Sequence, residues 1–207
     1  YWPNNATVSV IGDFEPAGWG PYRTSLSMAG LASVFGTAIV FIGAYLIEKG
    51  QTFRGVRTFA HLLAMLPMAV PGLVLGLGYV FFINAKWNPL NVFYGTLALL
   101  AVNSIAHFYT TAHITAVTAL KQIDNEFEAV SASLRVAFWR TFFKVTVPVC
   151  LPAVLEISRY LFVNAMTTVS AVMFLYSPKT VVASVAIVNL DEAGDIGAFI
   201  DARHRMS

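Results

Sequence analysis

The sequence predicts an all-α membrane protein, and three observations carry that prediction. Hydrophobic residues make up 57% of the 207-residue chain. Charged residues make up 12%, about half of the ~25% usual in a soluble domain. The apolar residues are gathered into long runs with few or no charges, at about 25–47, 59–83, 92–117 and 145–176. Each run reaches the roughly 20 residues that an α-helix needs to cross a bilayer. Such a chain cannot hide its apolar surface in one soluble core. Its net charge of +2 says less than where the charges fall. The single cysteine, Cys150, excludes an internal disulfide and a multi-cysteine metal cluster.

Residues 1–24 are polar and turn-rich and are expected to form an external N-terminal segment. Trp19 and Tyr22 stand just before the first apolar run, where interfacial anchors belong. The chain begins at Tyr1 and shows no signal-peptide pattern, so it is expected to be a piece of a longer protein. The first span, 25–47, carries Gly30, Gly36 and Gly43, small residues that allow close helix packing in lipid. The polar loop 48–58 follows, with Lys49, Arg54 and Arg57. The second span, 59–83, contains Pro67 and Pro71, which predict a kink or break. Gly72 and Gly76 lie just beyond it, either as a packing surface or beside a break that lines a solute pathway.

The third span, 92–117, is apolar at first and then carries Asn103, Ser104, His107, Thr110, Thr111 and His113. Asn103, His107 and Thr111 are spaced by four and share a helix face. That face serves either interhelical hydrogen bonds or a hydrophilic wall of a translocation path. His107 and His113 stand about 240° apart around a helix and cannot chelate one metal together.

A charged island, 124–148, separates the third and fourth spans. Its first part predicts a short helix over about 125–134. Asn125 is placed to cap it, Glu128 completes a capping-box pattern, and Glu126 and Glu128 suit the positive end of the dipole. Phe127, Val130 and Leu134 form one apolar stripe. The helix is short and its basic residues trail it, so a helix-in-groove contact with a partner fits better than a membrane surface.

The fourth span, 145–176, has Pro148 and Pro152 in its first turns and is expected to enter at an angle. Glu156 and Arg159 lie three apart on one face and can pair. They form either a structural ion pair near the interface or a contact for a charged solute. Asn164, Thr167, Thr168 and Ser170 continue the polar character. Beyond residue 195 the run IGAFI is too short to span, and 196–207 is expected to be a truncated or divergent tail.

Loops 48–58 and 119–144 carry Lys49, Arg54, Arg57, Lys121, Arg135, Arg140 and Lys144, whereas the opposite loops carry only Arg23, Lys86 and Lys179. The positive-inside rule therefore puts the island in the cytoplasm.

The run Glu128-Ala129-Val130, then Leu134, Trp139-Arg140-Thr141-Phe142 and Val145-Thr146-Val147-Pro148, resembles the EAA loop of ABC importer permeases of the type I, MetI-like family. The family's glycine is replaced by Arg135, and the spacing from Glu128 to Pro148 is one residue longer than the common pattern. Further similarity runs through most of residues 20–195, including LAMLPMAVPGLVLGLGYVFF and VTVPVCLPAVLEISRYLFVNAMTTVSAVMFLYSP, and is to 2-aminoethylphosphonate permeases, specifically their second membrane unit.

The resemblance implies a five-helix importer core over 25–195, with four spans present and the fifth absent. It implies that the helix formed by Phe127, Glu128, Ala129, Val130 and Leu134, ending at Arg135, docks on a cytoplasmic ATPase subunit. It further implies an external, periplasmic solute-binding protein, a second permease unit in the same full-length chain, and a multi-pass location in the bacterial inner membrane. The solute implied is 2-aminoethylphosphonate or a related phosphonate, with ferric iron or a polyamine as the alternative. Asn103, His107, Thr111, Glu156, Arg159, Asn164 and Thr167 are the candidate path residues.

No GxxxxGK[ST] or HExxH sequence is present, which argues against an ATPase or a zinc enzyme. A membrane-embedded enzyme, and a purely structural membrane subunit or a channel, are the remaining rivals. No cofactor, metal ion, catalytic residue or nucleic-acid partner is expected.

Overall fold

The computed structural model describes residues 19–49, 54–85, 88–123, 126–176 and 180–192. Asn125, the tail 196–207 and the segment before residue 19 lie outside the described residues. The element order is α1 (Trp19–Lys49), α2 (Arg54–Ala69), α3 (Gly72–Ile83), a 3-10 turn (Pro89–Phe93), α4 (Leu97–Lys121), α5 (Glu126–Ser133), α6 (Phe138–Thr141), a π-helical turn (Phe142–Thr146), α7 (Val147–Val149), α8 (Leu151–Thr167) and α9 (Ala183–Glu192). All regular structure among the described residues is helical.

The bundle is built on α1. At 1.5 Å per residue its 31 residues span about 45 Å, beyond the roughly 30 Å of a hydrocarbon core. By length and composition it is the one described helix that can cross a membrane alone. Small residues recur on one face: Ala29, Ala32, Ser33, Gly36, Thr37 and Ala44 are all buried. Spacings of three and four bring them together. Val34, Phe35 and Ile39 stay exposed on the other side. Helices α4 and α8 both pack along the small face, and α2 closes on α4.

The approach is closest at Gly36, where an added Cβ would sit 2.8 Å from Leu161 Cδ1 and 3.0 Å from Ile105 Cγ1. Two apolar clusters flank this point. One gathers Met28, Leu99, Leu100, Val172 and Val182; the other gathers Val40, Tyr45, Leu120, Phe142 and Ile157.

Polar side chains join the helices where lipid would leave them without partners. Ser33 Oγ donates to the Ser158 carbonyl at 2.9 Å and lies 2.7 Å from Ser158 Oγ, tying α1 to α8. Thr110 Oγ1 donates to the Ala64 carbonyl at 2.9 Å, tying α4 to α2. Ser25 Oγ accepts from the Ala183 amide at 2.8 Å, satisfying the first amide of α9.

The run 59–83 is two helices, α2 and α3, bent by 105°. Pro67 lies inside α2, and Pro71 stands at the N-cap of α3 in extended conformation (φ −57°, ψ 141°). Proline disfavours helical geometry at the residue before it, so the turn falls at Val70. The run 92–117 begins later as a helix, because Pro89–Phe93 forms a 3-10 turn, Gly95 takes φ 72° and Thr96 caps α4 through Leu99 N–H.

The run 145–176 is not one helix. The segment Phe138–Val149 meets α8 at 77° across Cys150. α8 then ends at Thr167, where Thr168 turns extended (φ −67°, ψ 132°). Residues 169–176 fold back as turns, held by bonds such as Val172 N–H to the Val169 carbonyl. Gly72 and Gly76 of α3 dock on that turn rather than on a helix. A Cβ on Gly76 would lie 3.0 Å from the Ala171 carbonyl oxygen, and one on Gly72 would lie 2.7 Å from Ser170 Oγ.

Replacing Gly36 tests the packing. Gly36→Ala is expected to lower stability by roughly 1–2 kcal/mol as Leu161 and Ile105 give way, and Gly36→Leu to prevent stable assembly of the bundle. Gly30→Ala, with nothing within 4 Å of the new Cβ, should unfold at or above the parent temperature. Thermal unfolding in detergent measures all three.

Candidate functional site

The described surface offers two features: a short apolar helix outside the bundle and a polar face on its long helices. The first is α5. Phe127, Val130 and Leu134 are 54%, 56% and 70% exposed, an uncovered apolar stripe at one end of the bundle. The side chains of Glu128 and Ala129 lie outside the described set.

The helix stops by a defined geometry. Leu134 N–H donates to the Val130 carbonyl at 3.0 Å, and Val136 N–H donates to the Ser131 carbonyl at 2.9 Å. The second bond is the six-to-one closure of a Schellman cap, which needs a left-handed residue just before its donor. That residue is Arg135, with φ 52°. A side chain there costs about 1–2 kcal/mol, which is why glycine is preferred at such positions. The EAA-loop resemblance expects a glycine at this position, and the backbone geometry explains that preference.

Past the cap, α6 and the π-helical turn lead to α1 through stacked rings. Tyr45 lies 4.8 Å from Phe138 and 4.6 Å from Phe142, and Phe41 lies 6.0 Å from Phe142. The chain just past the α5 cap is thus joined to the central helix through a short aromatic cluster.

The structure separates the seven candidate path residues. Asn103 is fully buried and donates to the Ala171 carbonyl, so it pins the 169–176 turn to α4. His107 is half-buried beside the same turn, next to Gly72, and its Nδ1 is buried without a partner among the described residues. Thr111 is exposed. Asn164 donates to the Tyr160 carbonyl at 2.8 Å and Thr167 to the Val163 carbonyl at 3.1 Å, both within α8.

Glu156 and Arg159 are in direct contact. Arg159 Nη2 donates to Glu156 Oε1 at 2.6 Å and Nε to Oε2 at 3.2 Å, with side chains 52% and 70% exposed. They share the exposed face of α8 with Val163 and Thr167, opposite buried Ile157, Leu161 and Ala165. No hydrogen bond or ion pair among the described residues joins the α4 set to the α8 set.

Sequence reasoning missed one cluster. Glu48 on α1 meets Arg57 Nη2 at 3.4 Å and His61 Nε2 at 3.6 Å, both from α2. His61 Nδ1 lies 3.3 Å from Nε2 of the fully buried His113 on α4, and the Tyr109 ring stacks on His113. The cluster links three helices at the α5 end. The shortness of the polar stretch 48–58 was its sequence signal, since short connections make antiparallel neighbours.

The bundle and the projecting helix define an all-helical membrane subunit. Residues 39–197 match the family described as binding-protein-dependent transport system inner membrane component, and the chain belongs to that family. It is 30% identical over 197 residues to the ferric transport system permease protein FbpB of Actinobacillus pleuropneumoniae, covering 95% of this chain and 28% of that protein. It is 30% identical over 189 residues to the Fe(3+)-transport system permease protein FbpB 2 of Haemophilus influenzae, covering 90% and 36%. It is 27% identical over 202 residues to PhnV of Salmonella typhimurium, provisionally a 2-aminoethylphosphonate transport system permease protein, covering 94% and 72%. The chain therefore spans a little over a quarter of the Actinobacillus relative.

The left-handed cap gives a direct test. Arg135→Gly should raise stability by about 1 kcal/mol by removing the strained side-chain conformation, read as a higher unfolding midpoint, whereas Arg135→Val should lower it.

Proposed function

We propose that this chain is a membrane-spanning permease unit of an ATP-binding-cassette importer and that α5 is its coupling helix. The observation that carries this reading is the exposed Phe127–Val130–Leu134 stripe on a short helix outside the bundle, in a member of this transport family. An amphipathic helix with three apolar anchors on one face suits a groove on a partner. In this reading the groove belongs to a cytoplasmic ATPase subunit, consistent with the basic loops at the same end. A periplasmic binding protein delivers solute at the opposite end, and the membrane is the bacterial inner membrane.

The Glu156–Arg159 pair supports a second permease unit. An exposed charged pair on a spanning helix is unfavourable against lipid and favourable against protein or water. The polar face of α8 then lies where two units meet, and the second unit belongs to the same full-length chain. Residues 25–195 are the transmembrane domain in this assignment.

The solute proposed is 2-aminoethylphosphonate or a related phosphonate. Its phosphonate matches the Arg159 guanidinium and its amine matches the Glu156 carboxylate. Ferric iron is the second reading, favoured by the FbpB relatives at 30% identity. A lone carboxylate already paired to arginine is a poor cradle for a trivalent cation.

Two measurements test the reading. In proteoliposomes holding the full-length protein and its ATPase, Phe127→Asp is expected to reduce solute-stimulated ATP hydrolysis at least tenfold. Unchanged stimulation would remove α5 from coupling. Uptake of labelled 2-aminoethylphosphonate and of Fe(III), with Arg159→Ala and Glu156→Ala, separates the solutes: phosphonate uptake should fall more than tenfold in Arg159→Ala. Uptake of iron alone would assign the second reading.

A further inference from the structure

We infer that the segment Phe138–Val149 lies in the plane of the membrane and holds anionic phospholipid headgroups of the cytoplasmic leaflet. The inference rests on the orientation proposed above and goes beyond it. The segment meets α8 at 77°, with only Cys150 between them. At 17 residues α8 stands at the lower limit for a crossing helix; with α8 as the crossing part of this bent pair, the segment before it runs nearly parallel to the surface at the depth where α8 begins.

Its two faces differ. Thr141, Phe142 and Thr146 are buried against the bundle, and Phe142 stacks on Tyr45 of α1. The outer face carries Trp139 and Phe143, 52% and 62% exposed, with their rings stacked. Arg140 and Lys144, also exposed, follow each by one residue. Spacings of four align each pair along the helix, so an aromatic stripe runs beside a basic one.

That arrangement suits the interface of an anionic membrane: rings at the headgroup level and cations toward lipid phosphate. Between Glu128 and Glu156 the chain carries Arg135, Arg140 and Lys144 and no acid, so no carboxylate from this stretch competes for them. Lys121, exposed at the end of α4, adds charge at the same end of the bundle. The ATPase is the less suitable occupant. The apolar stripe of α5 stands clear of the bundle, whereas this segment is stacked against α1 and joined to a spanning helix.

The test uses the full-length protein. In mixed micelles of equal phosphatidylglycerol and phosphatidylcholine, native mass spectrometry should show phosphatidylglycerol retained preferentially. Arg140→Gln with Lys144→Gln should reduce that preference by roughly a factor of five for each charge removed. Equal retention of the two lipids by the parent, or an unchanged preference in the double variant, overturns the proposal. A spin label at Phe143→Cys, in a background where every other cysteine including Cys150 is replaced by serine, in phosphatidylglycerol-containing nanodiscs, gives a readout on the protein with its charges intact. Collision with oxygen exceeding collision with a water-soluble nickel chelate is expected. A water-exposed label that becomes shielded only when the ATPase is added assigns the face to the ATPase and overturns the proposal. Phe127→Asp should leave the lipid preference unchanged while reducing solute-stimulated ATP hydrolysis at least tenfold, so failure of either reading is seen separately.

Discussion

Close approach of α1 to its two neighbours is the constraint on which the rest of this structure depends. Between helices in lipid there is no hydrophobic gain from association, so contact and interhelical hydrogen bonds must hold them. Both need small side chains at the crossing. Gly36 lets Leu161 of α8 and Ile105 of α4 reach the same point of α1. Ser33, one turn away, reaches Ser158. With α4 and α8 both drawn onto one face of α1, the remaining elements are left to pack around the outside.

That outer layer contains broken backbone, which a bilayer tolerates only where protein covers it. The 105° bend between α2 and α3 and the turns after Thr167 meet each other and supply that cover. Asn103 closes the turn from the α4 side by donating to the Ala171 carbonyl. Gly72 and Gly76 close it from the α3 side, because the absence of a Cβ lets α3 reach backbone atoms. One buried amide and two glycines thus allow a non-helical segment to sit inside the bundle.

The projecting end is organised differently. Its helix, α5, leaves its apolar stripe uncovered and is bounded by a left-handed residue that carries a side chain. Beyond that residue the chain returns through Phe138 and Phe142 onto Tyr45, close to where Glu48, His61 and His113 tie three helices together. The rings of Phe138 and Phe142 thus fix the chain beyond the α5 cap to α1. Packed elements of this kind shift as units between discrete arrangements instead of deforming continuously.

The helical membrane class was legible in the sequence, because composition and run length act through solvent rather than through fold. The break at Pro67 and Pro71 was legible for a local reason, the missing amide and the steric clash of the ring. So was the stripe of Phe127, Val130 and Leu134, which needs only helical periodicity, and the pairing of Glu156 with Arg159, which needs only one turn of helix. The end of α8 at Thr167 was not legible, since the apolar run continues to residue 176 without a breaker. Contacts from Asn103, Gly72 and Gly76, distant in the chain, decide it. Nor could periodicity divide the polar residues: Asn103 and Thr111 share a face by spacing, yet one is sealed under a turn and the other exposed. By itself the sequence determined the helices, their polarity and their local caps, because those depend on neighbours within one or two turns. The tertiary structure alone decided which polar groups are consumed in holding the bundle and which remain free to meet a partner, because burial is set by residues far apart in the chain.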